Sequence, residues 1–166
     1  PGREPIQGVL EERLTALREA DVPLIVQDAR ELEPFTRVIR DLQPQAIVHL
    51  AGIANAAESN KDPQRAFEHH ARTLQHALTA SAGLVEQFVF FSSSMVYGHF
   101  ETGTVDEDTV CRPLGIYGSL KLAGEHLLRA HGQVADMPWT VIRPSALYGE
   151  RCISGRVLQV FIERLE

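Results

Sequence analysis

Tyr117 and Lys121 stand four residues apart in the run Tyr117-Gly118-Ser119-Leu120-Lys121. On a helix that spacing puts both side chains on one face. An ammonium beside a phenol favours the phenolate, drawing a group that ordinarily titrates at about 10 towards neutrality. A phenol tuned in this way can pass a proton to and from an alcohol or ketone oxygen. Alone, such a pair is a common surface feature. Ser93 turns it into a constellation: it lies 24 residues earlier, at the end of an apolar run, where its hydroxyl can bond the same substrate oxygen. The three together suit alcohol–ketone interconversion.

The elements that must position these residues alternate between two hydrophobic periods. Leu10, Leu14 and Leu17 recur at helical spacing, and Leu24-Ile25-Val26 reads as a short first strand. Phe35, Val38, Ile39 and Leu42 mark a helix with Pro34 in its first turn and Pro44 beyond its end. Residues 46–50 form the next strand. A longer helix follows, capped by Asp62 with Pro63 at its first position, its apolar face Phe67, Ala71, Leu74 and Leu78 and its end at Gly83. Residues 88–91 are a third strand, continuous in apolar character as though covered on both faces. A loop runs from Gly98 to about Leu114, and a helix from Tyr117 to about His131, ended by Gly132. Residues 139–142 are a fourth strand; 144–155 are irregular and 156–165 helical. This order predicts an α/β fold, a parallel sheet covered by helices. Ligands of such sheets lie past the carboxyl ends of the strands. Those ends carry Asp28, Ala51-Gly52, Ser92-Ser93-Ser94 and Pro144-Ser145, a rim of small and hydroxyl residues open to a flat polar ligand.

Composition narrows the class. The chain has 166 residues, 44% hydrophobic and 23% charged, enough for one core and unlike a disordered segment. Its 16 Lys and Arg against 22 Asp and Glu leave a net charge of −6 with no basic stripe, which argues against a nucleic-acid partner. No apolar run approaches the ~20 residues of a membrane helix. The opening Pro1-Gly2-Arg3-Glu4-Pro5 lacks the order of a signal peptide. Two isolated cysteines, Cys111 and Cys152, fit the reduced thiols of a cytoplasmic chain. The seven histidines have no metal-ligand spacing, and surface or capping roles are expected for them. Tyr97 and Tyr148 suit packing as well as substrate contact, and residues 106–108 suit a solvated loop.

The motifs, in order, resemble the extended short-chain dehydrogenase/reductases, the NAD-dependent epimerase/dehydratase group acting on nucleotide sugars. Residues 26–30 resemble the strand-end Asp segment that holds adenine, and 49–52 the H-x-A-[AG] segment beside the cofactor. Residues 91–98 resemble S-S-x-x-V-Y-G, whose Ser or Thr three before the Val is catalytic; here that is Ser93. Residues 117–121 resemble Y-x-x-x-K, and 143–149 resemble R-x-x-N-V-Y-G. The resemblance implies a Rossmann-like doubly wound sheet and a nucleotide-sugar substrate. NAD is the implied cofactor, with NADP left open. Tyr117 would be the acid/base. Lys121 would bind the nicotinamide ribose, and Ser93 would orient the reacting oxygen. Asp28 and Ala29 would hold adenine. Leu50, Ala51, Gly52 and Ser92 would line the cofactor, with Pro144 and Ser145 near the nicotinamide. The family often dimerises through the Tyr117 helix, so a homodimer is implied for the full-length enzyme.

Departures from the pattern shape the expected reaction. Ala54 stands where epimerases often have Lys, His69-His70 where Asn is usual, and Ala146 where a substrate-touching Asn is usual. Ser93-Ser94-Met95 replaces the Thr-Asp-Glu of dehydratases. An epimerase is therefore expected first, then a reductase or dehydratase of the same family, then a non-catalytic binding module. The glycine-rich phosphate turn, and the residue that chooses NAD or NADP, would lie before Pro1. A substrate lobe would begin near 150–166. Residues 1–166 thus read as a partial cofactor domain, inactive alone.

Overall fold

A computed structural model describes residues 3–101, 103–149, 160, 161 and 164. It falls into two units, residues 27–145 and the remainder, residues 1–26 with 146–166.

The larger unit holds the sheet. Strand β1 (Ala46–His49) pairs in parallel with β2 (Gln87–Phe91), and β2 with β3 (Trp139–Ile142), in the order β1-β2-β3. The register sets Val48 beside Val89 and Val89 beside Thr140. Helix α2 (Leu32–Leu42) precedes β1 and ends where Gln43 turns left-handed at φ 44°. Helix α3 (Ala56–Lys61) is capped by the Asn55 side chain, and α4 (Pro63–Phe67) by Asp62 with Pro63 in its first turn. A π-helical turn, Glu68–Arg72, joins α4 directly to α5 (Thr73–Ser81). Helix α6 (Gly115–Ala135) leads into β3.

Alternation along β2 aims Phe88 and Phe90 at the core, 0% and 3% exposed, against Leu74 and Leu78 of α5 and Leu128 of α6. Burying each of these side chains contributes about 1.5–3 kcal/mol. The opposite face is left more open within this unit, with Val48 53% and Ile142 37% exposed. The expected cover on both faces of β2 is therefore seen on one. Helix α6 lies close because its glycines allow it: a Cβ at Gly118 would sit 2.8 Å from the Met95 carbonyl oxygen, and one at Gly124 2.7 Å from the Phe90 ring.

Three expectations are corrected. Residues 24–26 form no strand; Val26 is fully exposed, and no ladder partner for this run exists among the described residues. A strand needs a neighbour for its backbone groups, and a short apolar run without one stays irregular. Gly132 does not end α6, which continues to Ala135; it clears room for the Trp139 ring, against which a Cβ would collide. The inward face of the long helix is not Phe67 and Ala71. Phe67 is 49% exposed, and Ala66 and His70 are buried instead. The wider π turn delays the helix by about one residue and so shifts the buried positions ahead of it.

In the smaller unit, α1 (Arg3–Glu19) carries Leu10, Leu14 and Leu17 partly exposed. Residues 146–148 are irregular and exposed, Tyr148 among them. Residues 150–159, where the sequence places Cys152 and the start of a substrate lobe, lie outside the described residues. No helix among the described residues is long and apolar enough to cross a membrane.

Candidate active site

The carboxyl ends of β1 and β2 gather the predicted chemistry. Ser93 follows β2 in extended conformation and opens a 3-10 turn, Ser94–Tyr97. Its Oγ accepts the Met95 N–H at 3.2 Å, which fixes the rotamer and leaves the hydroxyl proton to donate. Gly118 seats the first turns of α6 on that same 3-10 turn. One bare N–H of the α6 start, that of Ile116, is taken at 2.9 Å by the Asn60 side chain of α3. Tyr117 is thus held half-buried beside the turn that carries Ser93.

Lys121, one turn on, is 6% exposed. Its Nζ donates to the Phe91 carbonyl at 2.6 Å, and lies 5.1 Å from the Phe90 ring centroid and 5.9 Å from that of Tyr117. Burial disfavours the ammonium and brings it down to about 8. The pair Tyr117–Lys121 and the β2 end that carries Ser93 are therefore one neighbourhood, as the spacing predicts.

Ser92 faces elsewhere. Its Oγ donates to Glu125 Oε1 at 2.5 Å. Glu125, 3% exposed, takes a two-pronged bond from Arg143, at 3.0 Å from Nε and 2.7 Å from Nη2. Arg143 also donates to the Tyr97 hydroxyl at 3.0 Å and to the Glu107 carbonyl at 3.1 Å. The paired carboxylate holds the guanidinium above its ordinary range. This network pins the ends of β2 and β3 together. Pro144 lies beside Ser94 through the Ser94 N–H to Pro144 carbonyl bond of 2.9 Å. Ser145 lines, with Ser94, Tyr97 and Arg143, an open cleft of about 730 Å³.

At the end of β1, Leu50, Ala51 and Gly52 are exposed, and so is Ala54. Gly52 has φ 150°, and a Cβ there would lie 2.6 Å from His70 Cε1, so both conformation and room require glycine. Asp28 is turned onto Arg30, whose Nη2 lies 2.6 Å from Oδ2. Those bonds hold its carboxyl down at about 2. The Ala29 carbonyl lies 2.9 Å from His76 Nδ1.

The histidine expectation is corrected for two residues. His49 and His70 are 6% and 5% exposed rather than at the surface. His49 lies against Phe88 and Phe90, and its Nε2 is buried without a hydrogen-bond partner among the described residues. His70 bonds Ile53 and meets the Tyr117 ring edge to face at 5.5 Å. Desolvation first, then the Lys121 charge, push each imidazole down to about 4. No group of three metal-ligating side chains is found among the described residues. Tyr97 is buried with its hydroxyl bonded by Arg143, while Asp106, Glu107 and Asp108 are exposed as expected. Cys111 is a half-buried free thiol that reaches the Thr109 carbonyl.

A parallel α/β sheet with an exposed small-residue turn, a strand-end serine and a helical Tyr–Lys pair at one end has the layout of a dinucleotide-dependent enzyme domain. Residues 9–166 match the NAD dependent epimerase/dehydratase family, and the chain belongs to it. It is 32% identical over 128 residues to a UDP-glucose 4-epimerase of Azospirillum brasilense, covering 75% of this chain and 36% of that one. Among solved structures, the UDP-glucose 4-epimerase of Thermus thermophilus in complex with NAD superposes with TM-score 0.70 at 31% identity, over 78% of this chain and 41% of that one. The Thermotoga maritima UDP-glucose 4-epimerase with UDP-glucose gives 0.76 at 26% identity, over 83% and 47%. The chain thus spans well under two thirds of these relatives.

Proposed function

We propose that these residues are the catalytic half of an NAD-dependent nucleotide-sugar epimerase, with UDP-hexoses the first substrates to try. The observation that carries this is the docking of Lys121 on the Phe91 carbonyl, which holds the Tyr117 helix at the strand end bearing Ser93. The site suits the cofactor: Leu50, Ala51 and Gly52 offer an exposed, low-profile turn, and Lys121 supplies a cation beside it. NAD, when bound, supplies the hydride acceptor and donor. Leu50, Ala51, Gly52, Lys121, Pro144 and Ser145 would hold it, with Asp28 and Ala29 at the adenine end and Ser92 behind the strand.

The chain's own residues handle the proton. Ser93 Oγ–H donates to the reacting sugar oxygen, while one of the two Oγ lone pairs accepts the Met95 N–H. As the phenolate, Tyr117 takes the proton from that oxygen, holds it as the phenol while the sugar is a ketone, and returns it. The Lys121 charge beside the ring favours the phenolate that opens and closes this cycle. Proton uptake and return at one oxygen is what an epimerase requires. The substrate lobe beginning near 150, the homodimer through α6 and the cytoplasmic setting belong to the same proposal.

The test is Tyr117→Phe in the whole protein that carries these residues. Interconversion of UDP-glucose and UDP-galactose should fall at least ~100-fold with NAD affinity kept. Retained turnover removes Tyr117 from the mechanism.

A further inference from the structure

Helix α6 begins without a cap of its own. The residue before it, Leu114, is aliphatic and accepts no hydrogen bond, and the first turn carries no acid. The opening N–H groups of a helix have no partner within it, and helix ends left in that state fray. Tyr117 is the third residue of α6 and so lies in that turn. The acceptor comes instead from α3. Asn60 Oδ1 takes the Ile116 N–H at 2.9 Å, across 56 residues of chain. Gly115 lets it in: the residue turns left-handed at φ 72°, and a Cβ there would lie 2.9 Å from Asn60 Oδ1 and 3.2 Å from Nδ2. The short helix that presents Asn60 is itself held. Asn55 caps it through the Glu58 N–H at 3.1 Å, and the fully buried Ser59 donates its hydroxyl to the Asn55 carbonyl at 3.1 Å. Glu58 also pairs with Arg65 at 2.6 Å. Among the described residues, Asn60 is the one side chain that accepts from the first turn of α6.

We propose that Asn60 is a positioning residue for Tyr117, a cap supplied from another helix that holds the first turn of α6 closed and so keeps the phenol beside Ser93. The inference rests on reading that site as the epimerase site. It assigns the work to one acceptor oxygen. Asp offers the same oxygen at the same reach, and its charge suits a helix start. Leu keeps the size of the side chain and offers no acceptor. Pro at position 116 has no N–H to give and is tolerated in a first helical turn.

The experiment follows amide hydrogen exchange at Ile116, together with kcat and KM for the sugar nucleotide, in the whole protein that carries these residues. Asn60→Leu should speed exchange of the Ile116 amide about fivefold and lower kcat by a similar factor, with KM within about twofold. Asn60→Asp should keep exchange and kcat within about twofold of wild type. Equal behaviour of the two variants overturns the proposal. In an Ile116→Pro background, Asn60→Leu should change kcat by less than about twofold, and a loss as large as in the wild-type background overturns the proposal as well. Should Ile116→Pro fail to fold, the comparison of Asn60→Leu with Asn60→Asp decides alone. Faster exchange with kcat unchanged refutes the link to Tyr117. A wild-type protein without turnover on any nucleotide sugar sinks the epimerase reading instead, and the exchange arm still decides the cap.

Discussion

Lys121 puts an ammonium where the fold can hold it only at a cost, and that cost is measurable. The side chain is 6% exposed and its ammonium is brought down from 10.5 to about 8 by burial. The unfolded chain therefore binds more protons than the folded one between about pH 8 and 10.5. Stability must rise with pH across that window, and below it the folded state carries the whole penalty, about 3 kcal/mol. Lys121→Met keeps the aliphatic stem and removes the titration. Relative to this variant, the wild type should gain about 2.5 kcal/mol between about pH 7 and pH 10. Loss of the Nζ bond to the Phe91 carbonyl adds a pH-independent cost of about 1–3 kcal/mol to the variant. Whichever protein is the more stable at neutral pH, the gap between them must move in the wild type's favour as pH rises. Paired denaturant titrations of the apoprotein at several pH values read that gap directly. Nucleotide must be left out, because a ligand of the folded state adds its own stability. Curves whose separation stays constant from pH 7 to pH 10 would refute the assignment of a costly buried ammonium.

Other consequences can be read the same way. Glu125→Leu leaves the Arg143 guanidinium without its carboxylate and should cost about 3–5 kcal/mol, while Glu125→Leu with Arg143→Met should recover most of that in a double-mutant cycle; additive losses would show that the pair is not coupled. Gly124→Val drives a side chain into Phe90 and Leu74 and should cost at least ~2 kcal/mol by thermal unfolding, whereas the same change at Gly8, where nothing lies within 4 Å, should leave the core intact; equal losses would refute close packing of α6. His49 is neutral when folded, its imidazole held at about 4 against an ordinary 6.5, so stability present above about pH 6.5 is lost as pH falls towards 4. His49→Leu should remove about 2 kcal/mol of the loss seen between neutral pH and about pH 5; an unchanged acid slope by the same titration would refute it.

Much of this arrangement is legible in the sequence because it follows from local rules. Apolar runs of four or five residues predict β1, β2 and β3, and Asp62-Pro63 marks the start of α4. The strand-end rule then singles out Ser93, and helical spacing adds Tyr117 and Lys121. What escapes is set by partners distant in sequence. Residues 24–26 look like a strand but lack a ladder. Gly132 looks like a helix end, yet its absent side chain serves Trp139. The two buried histidines escape because neither reads as part of an apolar face: His49 closes a strand, and a helical wheel aligned on Leu74 and Leu78 aims Ala71 inward, whereas the helix with its π turn buries His70. The partner of the Ser92 hydroxyl, Glu125, lies 33 residues on and has no signal in local spacing.

The distribution of buried polar groups converges on the candidate site independently of any motif. Among the described residues, Ser59, Thr73 and Ser81 are buried but bond carbonyls three or four residues back in the chain, a local solution that asks nothing of the fold. The other buried polar residues are His49, His70, Ser92, Ser93, Lys121 and Glu125. Each belongs to the carboxyl end of a strand or is bonded to it: His49 closes β1, His70 reaches Ile53 beyond it, Ser92 and Ser93 follow β2, Lys121 bonds Phe91, and Glu125 bonds Ser92. A core selected for stability alone would place apolar side chains at these positions. Concentrating desolvated imidazoles, an ammonium and an ion pair at one end of a sheet, while its interior carries Phe88, Leu74, Leu78 and Leu128, is a sacrifice of stability confined to where chemistry can occur. The substitutions at Lys121 and His49 therefore test one idea from opposite sides of neutral pH: that this end of the sheet is destabilised because it is the working end.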